Sequence, residues 1–190
     1  IAGLATPNPK DSVVAELKNV DIAYILNLVN FHAVEFSGKA SGKAYIASAF
    51  NKPSASARLQ IDDFRFEDGR MGTLYADSRW NEKEGQIDID AIAKDTVLNR
   101  MGERYVPLET SIQGYVSPRK NNIELNIKAN GTRIEFLKSF CGSFIDRVDA
   151  FADGNVQVAG PLDKINLTGE LIANGSLHLS ALNTSYTLKH

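Results

Sequence analysis

The sequence predicts a mainly β protein: an elongated, curled antiparallel sheet, a half-pipe or β-taco in outline, with two short amphipathic helices. Three observations predict it. Apolar and polar residues alternate with a period of two through most of the 190 residues. Turn-forming pairs such as Asp68-Gly69 and Glu84-Gly85 punctuate that alternation. Many inward positions are small (Ala44, Ser48, Ala76, Ala91, Gly114), where a closed sandwich would want bulk.

Residues 12–20 read as the first strand, and Asp21 is placed as N-cap of an apolar helix over 22–31. Residues 43–50 alternate, with Ala44, Ile46, Ser48 and Phe50 on one face. The next strand, 57–66, carries Leu59, Ile61, Phe64 and Phe66, and Asp62-Asp63 breaks its period as a bulge would. Beyond a hairpin at Asp68-Gly69, residues 71–80 set Leu74, Ala76, Ser78 and Trp80 together. After Glu84-Gly85, the segment 86–93 is the clearest half-buried strand, with Ile87, Ile89, Ala91 and Ala93 alternating with Asp88 and Asp90.

Residues 95–107 show no period and are predicted to be a loop. Residues 110–116 place Ile112, Gly114 and Val116 inward, and 123–129 do the same for Ile123, Leu125, Ile127 and Ala129. Ser117-Pro118 and Asn121-Asn122 bracket the turn between them. Helical spacing follows over 132–148, where Ile134, Leu137, Phe140, Cys141, Phe144, Ile145 and Val148 form a stripe behind a Thr132/Glu135 capping box. Strands at 155–158, 165–172 and 176–188 finish the chain, with Asn174-Gly175 predicted as a tight hairpin between the last two.

An internal repeat underlies this order. A shift that carries Gly42 onto Gly154 also carries Ile22 onto Ile134, Ile46 onto Val158 and Leu59 onto Leu171. Residues 20–66 and 132–178 are therefore read as repeat units of a quasi-one-dimensional array.

Composition narrows the function. Charged residues make up 23% and the net charge is −2, so no basic excess exists to hold a phosphate backbone and nucleic acid is not expected as a partner. The apolar run at 22–31 is too short to span a bilayer, so no membrane span is expected here. Cys141 is the lone cysteine, read as a buried, inert thiol. His32, His178 and His190 have no metal-ligand spacing, and Asp88 with Asp90 reads as a solvated strand face. Ser117-Pro118-Arg119-Lys120 spells a Ser-x-x-Lys motif at a turn, without the helix that chemistry needs. The expectation is a non-enzymatic chain with no cofactor and no catalytic residue.

The stretch from Gly42 to Pro53 resembles the strand-turn-strand unit of the TamB C-terminal domain family, relatives of AsmA-like bridge proteins for lipid transfer. The stretches Gly154–Leu171 and Asn174–Tyr186 fit the same unit, as does the run from Phe64 to Trp80. The resemblance implies an internal segment, covering 1–190, of a larger protein in the periplasm of Gram-negative bacteria, anchored in the inner membrane. It implies a hydrophobic β-groove for phospholipid transport between the inner and outer membranes. It also implies outer-membrane protein assembly or secretion through a β-barrel partner of the TamA or BamA kind.

On that reading, phospholipid acyl chains would meet a lining of Ile46, Leu59, Ile61, Leu74, Ile87, Ile89, Ile112, Ile123, Leu125, Ile127, Val158, Leu167 and Leu171. Leu137, Phe140 and Phe144 on the second helix would cap or plug the groove. The alternative is a scaffold that captures β-strands of a barrel partner or substrate without carrying lipid.

Overall fold

The computed structural model describes residues 12–28, 35–47, 54–98, 102, 105–180 and 183–188. Its strands are β1 (Ser12–Asp21), β2 (Phe36–Ala47), β3 (Ser54–Phe66), β4 (Gly69–Asn81), β5 (Gln86–Leu98), β6 (Tyr105–Ser117), β7 (Asn122–Arg133), β8 (Ile145–Pro161), β9 (Asn166–Leu179) and β10 (Thr184–Leu188). Helix α1 (Ile22–Leu28) lies between β1 and β2; α2 (Leu137–Cys141), continued by a 3₁₀ turn, lies between β7 and β8. The ten strands form one antiparallel sheet in chain order. Among the described residues β1 and β10 do not pair with each other, so the sheet is not closed into a barrel.

Register carries the sequence alternation across the whole sheet. Ala40 stands opposite Ile61, Ile61 opposite Leu74, and Leu74 opposite Ala93. Two residues further along the strands, Leu59, Ala76, Ala91, Ile112, Ile127 and Val156 form a second row. Ala57, Ser78, Ile89, Gly114, Leu125, Val158 and Leu167 form a third. Because side chains alternate across a strand, all three rows project from one face. The bulge expected at Asp62-Asp63 is present: the register shifts between Ile61 and Phe64, and Asp63 takes a left-handed φ of 50°.

The offset that joins Gly42 to Gly154 also relates two observed pairings. Gly42 faces Leu59 in β2–β3, and Gly154 faces Leu171 in β8–β9. Both glycines have positive φ, 149° and 144°, and a Cβ at either would collide with the carbonyl of the facing strand, at Arg58 and Glu170 respectively. Only glycine allows strands to approach in this way.

One end of the apolar face is sealed. Asp21 caps α1 by accepting a hydrogen bond from the Ala23 amide at 3.0 Å. That amide, followed by Lys39, holds the Asp21 carboxyl below its ordinary value. Ile22 of α1 then packs with Ala40, Ile61, Phe64, Leu74 and Ala93. A chain of rings, Phe64 to Phe36 to Phe66 to Phe136, continues the seal with centroid spacings of 5.8, 5.4 and 5.1 Å. Gly69 passes so close to Phe136 that a Cβ there would lie 2.8 Å from its amide nitrogen. A second cluster, Ile134, Val148, Ala150 and Ala152, packs against Leu137 and Ile145 below α2.

Five expectations are corrected. The loop predicted at 95–107 is in part strand, because β5 continues to Leu98 and β6 begins at Tyr105. The helix predicted over 132–148 shrinks to Leu137–Cys141, with a turn before it, the 3₁₀ turn Gly142–Phe144 after it, and strand at 132–133 and 145–148. No capping box forms: Thr132 lies in β7, where its hydroxyl is 2.6 Å from that of Thr110. Asn174-Gly175 is not a hairpin; both residues lie inside β9, opposite Phe151 and Ala150. Cys141, expected to be buried, is exposed. Of the helix predicted over 22–31, Ile22–Leu28 is helical, and residues 29–31 lie outside the described residues, as do Ser48, Phe50, His32 and His190.

Candidate functional site

The apolar face grades from closed to open along the strands. In the row nearest α1, Ile61 is 2% exposed, and Ala40, Leu74, Ala93 and Ala129 are also buried. Further along, Leu59, Ile112, Ile127, Ile89, Leu125 and Val158 are half-buried, and so is Ile87. Ile46, one row further, is exposed; on β9, near the sheet edge, Leu171 is exposed although it continues the row nearest α1, and Leu167 of the third row reaches 52%. Ile123 breaks the gradient, being buried beneath the turn where Leu162 donates its amide to the Asn121 carbonyl. The sequence-predicted lining residues thus share a sheet face, but Ile61, Leu74 and Ile123 belong to its packed part.

Of the predicted plug residues, Leu137 packs into the cluster below α2 while Phe144 is 52% exposed. The Phe140 side chain lies outside the described residues.

The sealed end contains a charge cluster that the alternation did not reveal. Asp95, two residues beyond the inward Ala93 on β5, has a side chain 6% exposed. Arg70 of β4 donates to its Oδ1 at 3.0 Å, and Arg133 of β7 donates to its Oδ2 at 3.1 Å. Arg133 also lies over the Phe151 ring at 5.1 Å. Burial alone would push the Asp95 carboxyl up; the Thr96 amide, Arg133 and Arg70 outweigh it and hold the group below its ordinary value. The cluster ties β4, β5 and β7 together. The signal for it in the sequence was an aspartate in phase with Ala91 and Ala93.

The opposite face is polar and concave. One ladder of directly opposed residues crosses it from β2 to β9: Lys43, Arg58, Asp77, Asp90, Gln113, Asn126, Gln157 and Thr168. The first four lie in an open concavity of about 1070 Å³. The last four lie in a second one of about 530 Å³. Arg58 donates to Asp77 at 2.8 Å, and Gln113 to Asp90 at 3.3 Å. Tyr45 and Tyr75, 46% and 44% exposed, stand in the first concavity beside the ladder.

Other chemistry-bearing groups are locally satisfied. His178 Nδ1 lies 2.6 Å from Asp146 Oδ1, and that contact holds the Asp146 carboxyl below its ordinary value. Ser117 donates to the Gly85 carbonyl at 2.8 Å and accepts from the Lys120 amide at 3.2 Å, joining two hairpin turns. Among the described residues no group of three His, Cys, Asp or Glu side chains is placed to hold a metal ion. No helix among them is long and apolar enough to cross a membrane. Comparison with protein-family models, with curated proteins and with solved structures finds no match.

Proposed function

We propose that this chain is a segment of a TamB-like periplasmic protein whose apolar sheet face carries phospholipid acyl chains between the inner and outer membranes. The observation that carries this reading is the row-aligned apolar face, continuous from β2 to β9 and only half-buried beyond Ile61 and Leu74. Exposed apolar surface of this extent marks a binding site. Each methylene sheltered there contributes about 0.8 kcal/mol. In this reading the chain is a non-enzymatic carrier that holds tails without altering them.

The sealed end gives the carrier a direction. Tails rest on Leu59, Ile89, Ile112, Leu125 and Ile127 and do not pass the layer of α1, Ile61 and Leu74. Native mass spectrometry of gently extracted protein should show bound phospholipid. Ile89→Arg and Leu125→Arg should abolish it while the circular dichroism spectrum is unchanged. Protein that is lipid-free under every mild extraction, or folded arginine variants that keep their lipid, would overturn the reading.

A second reading has its own observation. β10 pairs with β9 only over Gly175–Leu179, and β9 exposes Leu167, Leu171 and Ile172 before that point. A strand of an outer-membrane barrel partner or substrate added there would extend the sheet and its apolar face. Cross-linking from residue 170 to a barrel protein, persisting after delipidation, supports this scaffold role; cross-linking lost with the lipid counts against it.

A further inference from the structure

We propose that the polar face of the sheet is a binding groove for an uncharged, linear glycan, separate from the apolar face and independent of its cargo. The first observation is shape. Both concavities open on the polar face, and one side-chain ladder runs along the floor of each. Asp90 of the first is directly opposite Gln113 of the second, so the two floors join. From β2 to β9 the ladder makes seven strand-to-strand steps, a length of about 34 Å at about 4.8 Å per step. That suits an extended polymer, not a compact metabolite.

The second observation is charge. Three cations (Lys43, Arg58, Arg79) and three carboxylates (Asp77, Asp88, Asp90) line the first concavity and balance, with Arg58 2.8 Å from Asp77; beyond Asp90 the ladder is formed by Gln113, Asn126, Gln157 and Thr168, with Lys128 beside it. A polyanion would require net positive charge along the groove, and a polycation net negative charge. Amides and hydroxyls offer donors and acceptors together, which matches a ligand of many hydroxyl groups.

The third observation is aromatic. Tyr45 and Tyr75 are both exposed in the first concavity, on a face made mostly of polar side chains. Exposed tyrosines give an apolar ring on which the C–H face of a sugar can rest, with a hydroxyl for hydrogen bonding. The Gln113–Asp90 hydrogen bond at 3.3 Å holds the planar groups at the centre of the floor in position.

An array of uncharged linear oligosaccharides (glucose-, xylose-, mannose- and N-acetylglucosamine-based) tests this, followed by titration of any retained chain against the full protein. Retention of at least one series is expected, with affinity that rises with chain length until the groove is filled. Tyr75→Ala should weaken binding about 3- to 10-fold, and Gln113→Ala should weaken it as well. Leu125→Arg, on the apolar face and outside the lining of both concavities, should leave glycan binding unchanged, so this groove and the lipid-carrying reading fail separately. Retention of no series overturns the proposal. So does binding unaffected by Tyr75→Ala in a folded variant, or preference for heparin or single-stranded DNA that vanishes with added salt.

Discussion

Asp95 shows how one residue can defeat a pattern and still serve the fold. A carboxylate at an inward strand position is costly unless paired, and here two arginines, from strands on either side, approach its two oxygens. Removing it leaves Arg133, itself mostly buried, with only Glu135 at 3.8 Å as counter-charge. Asp95→Asn should therefore cost about 3 kcal/mol in urea unfolding at pH 7. The folded carboxyl titrates below its unfolded value of about 3.9. Its stabilisation is accordingly complete above that value and lost as the pH falls through the folded one. The gap between the native protein and Asp95→Asn should stay constant from pH 7 to about 5 and shrink below about pH 4. Gly154 is a second such position. Its φ of 144° and the nearby Glu170 carbonyl leave no room for a Cβ, so Gly154→Ala should cost about 2 kcal/mol or more by the same measurement.

Among the elements, the strands were legible and the exceptions instructive. Strands β3, β4, β5 and β7 announced themselves because each keeps its apolar residues in phase with one sheet face. The far end of β5 did not, because Asp95 sits where an apolar residue was expected and its partners lie on β4 and β7, distant in sequence. The helix over 132–148 was overestimated for a different reason. Ile134 and Val148 are buried as the helical stripe required, but both lie outside the coiled part, which is limited to Leu137–Cys141 and its 3₁₀ continuation. Asn174-Gly175 carries the strongest local hairpin signal in the chain, yet β8 runs on to pair with it. At Gly175 a Cβ would sit 2.5 Å from the Ala150 Cα, so the glycine serves close strand contact, not a turn. The shortened α2 also leaves Cys141 at the surface. A water-soluble thiol reagent should label Cys141 fully in native buffer, within the time it labels the urea-unfolded chain; protection until unfolding would contradict this placement.

For the whole molecule, the apolar face predicts an uneven map of stability. Ile61→Ala at the sealed end should cost about 3 kcal/mol, whereas Leu167→Ala at the open margin should cost under about 1 kcal/mol. Urea titration of both variants checks the contrast, and equal costs would mean that the face is packed throughout. The lining was readable as a set because register preserves parity. Its depth was not, because burial depends on α1 and on the phenylalanine chain, which the alternation does not encode. The polar ladder was equally hidden, since outward residues look like ordinary surface until pairing lines them up. Finally, among the described residues the backbone ladder of every strand runs only to its immediate predecessor and successor. Such a ladder has no keystone strand: away from the Asp95 cluster, a hairpin excised or added leaves the remaining rungs able to rejoin with the same side turned inward. Its extent is thus a dimension that evolution can change by duplication alone, without redesigning any interior.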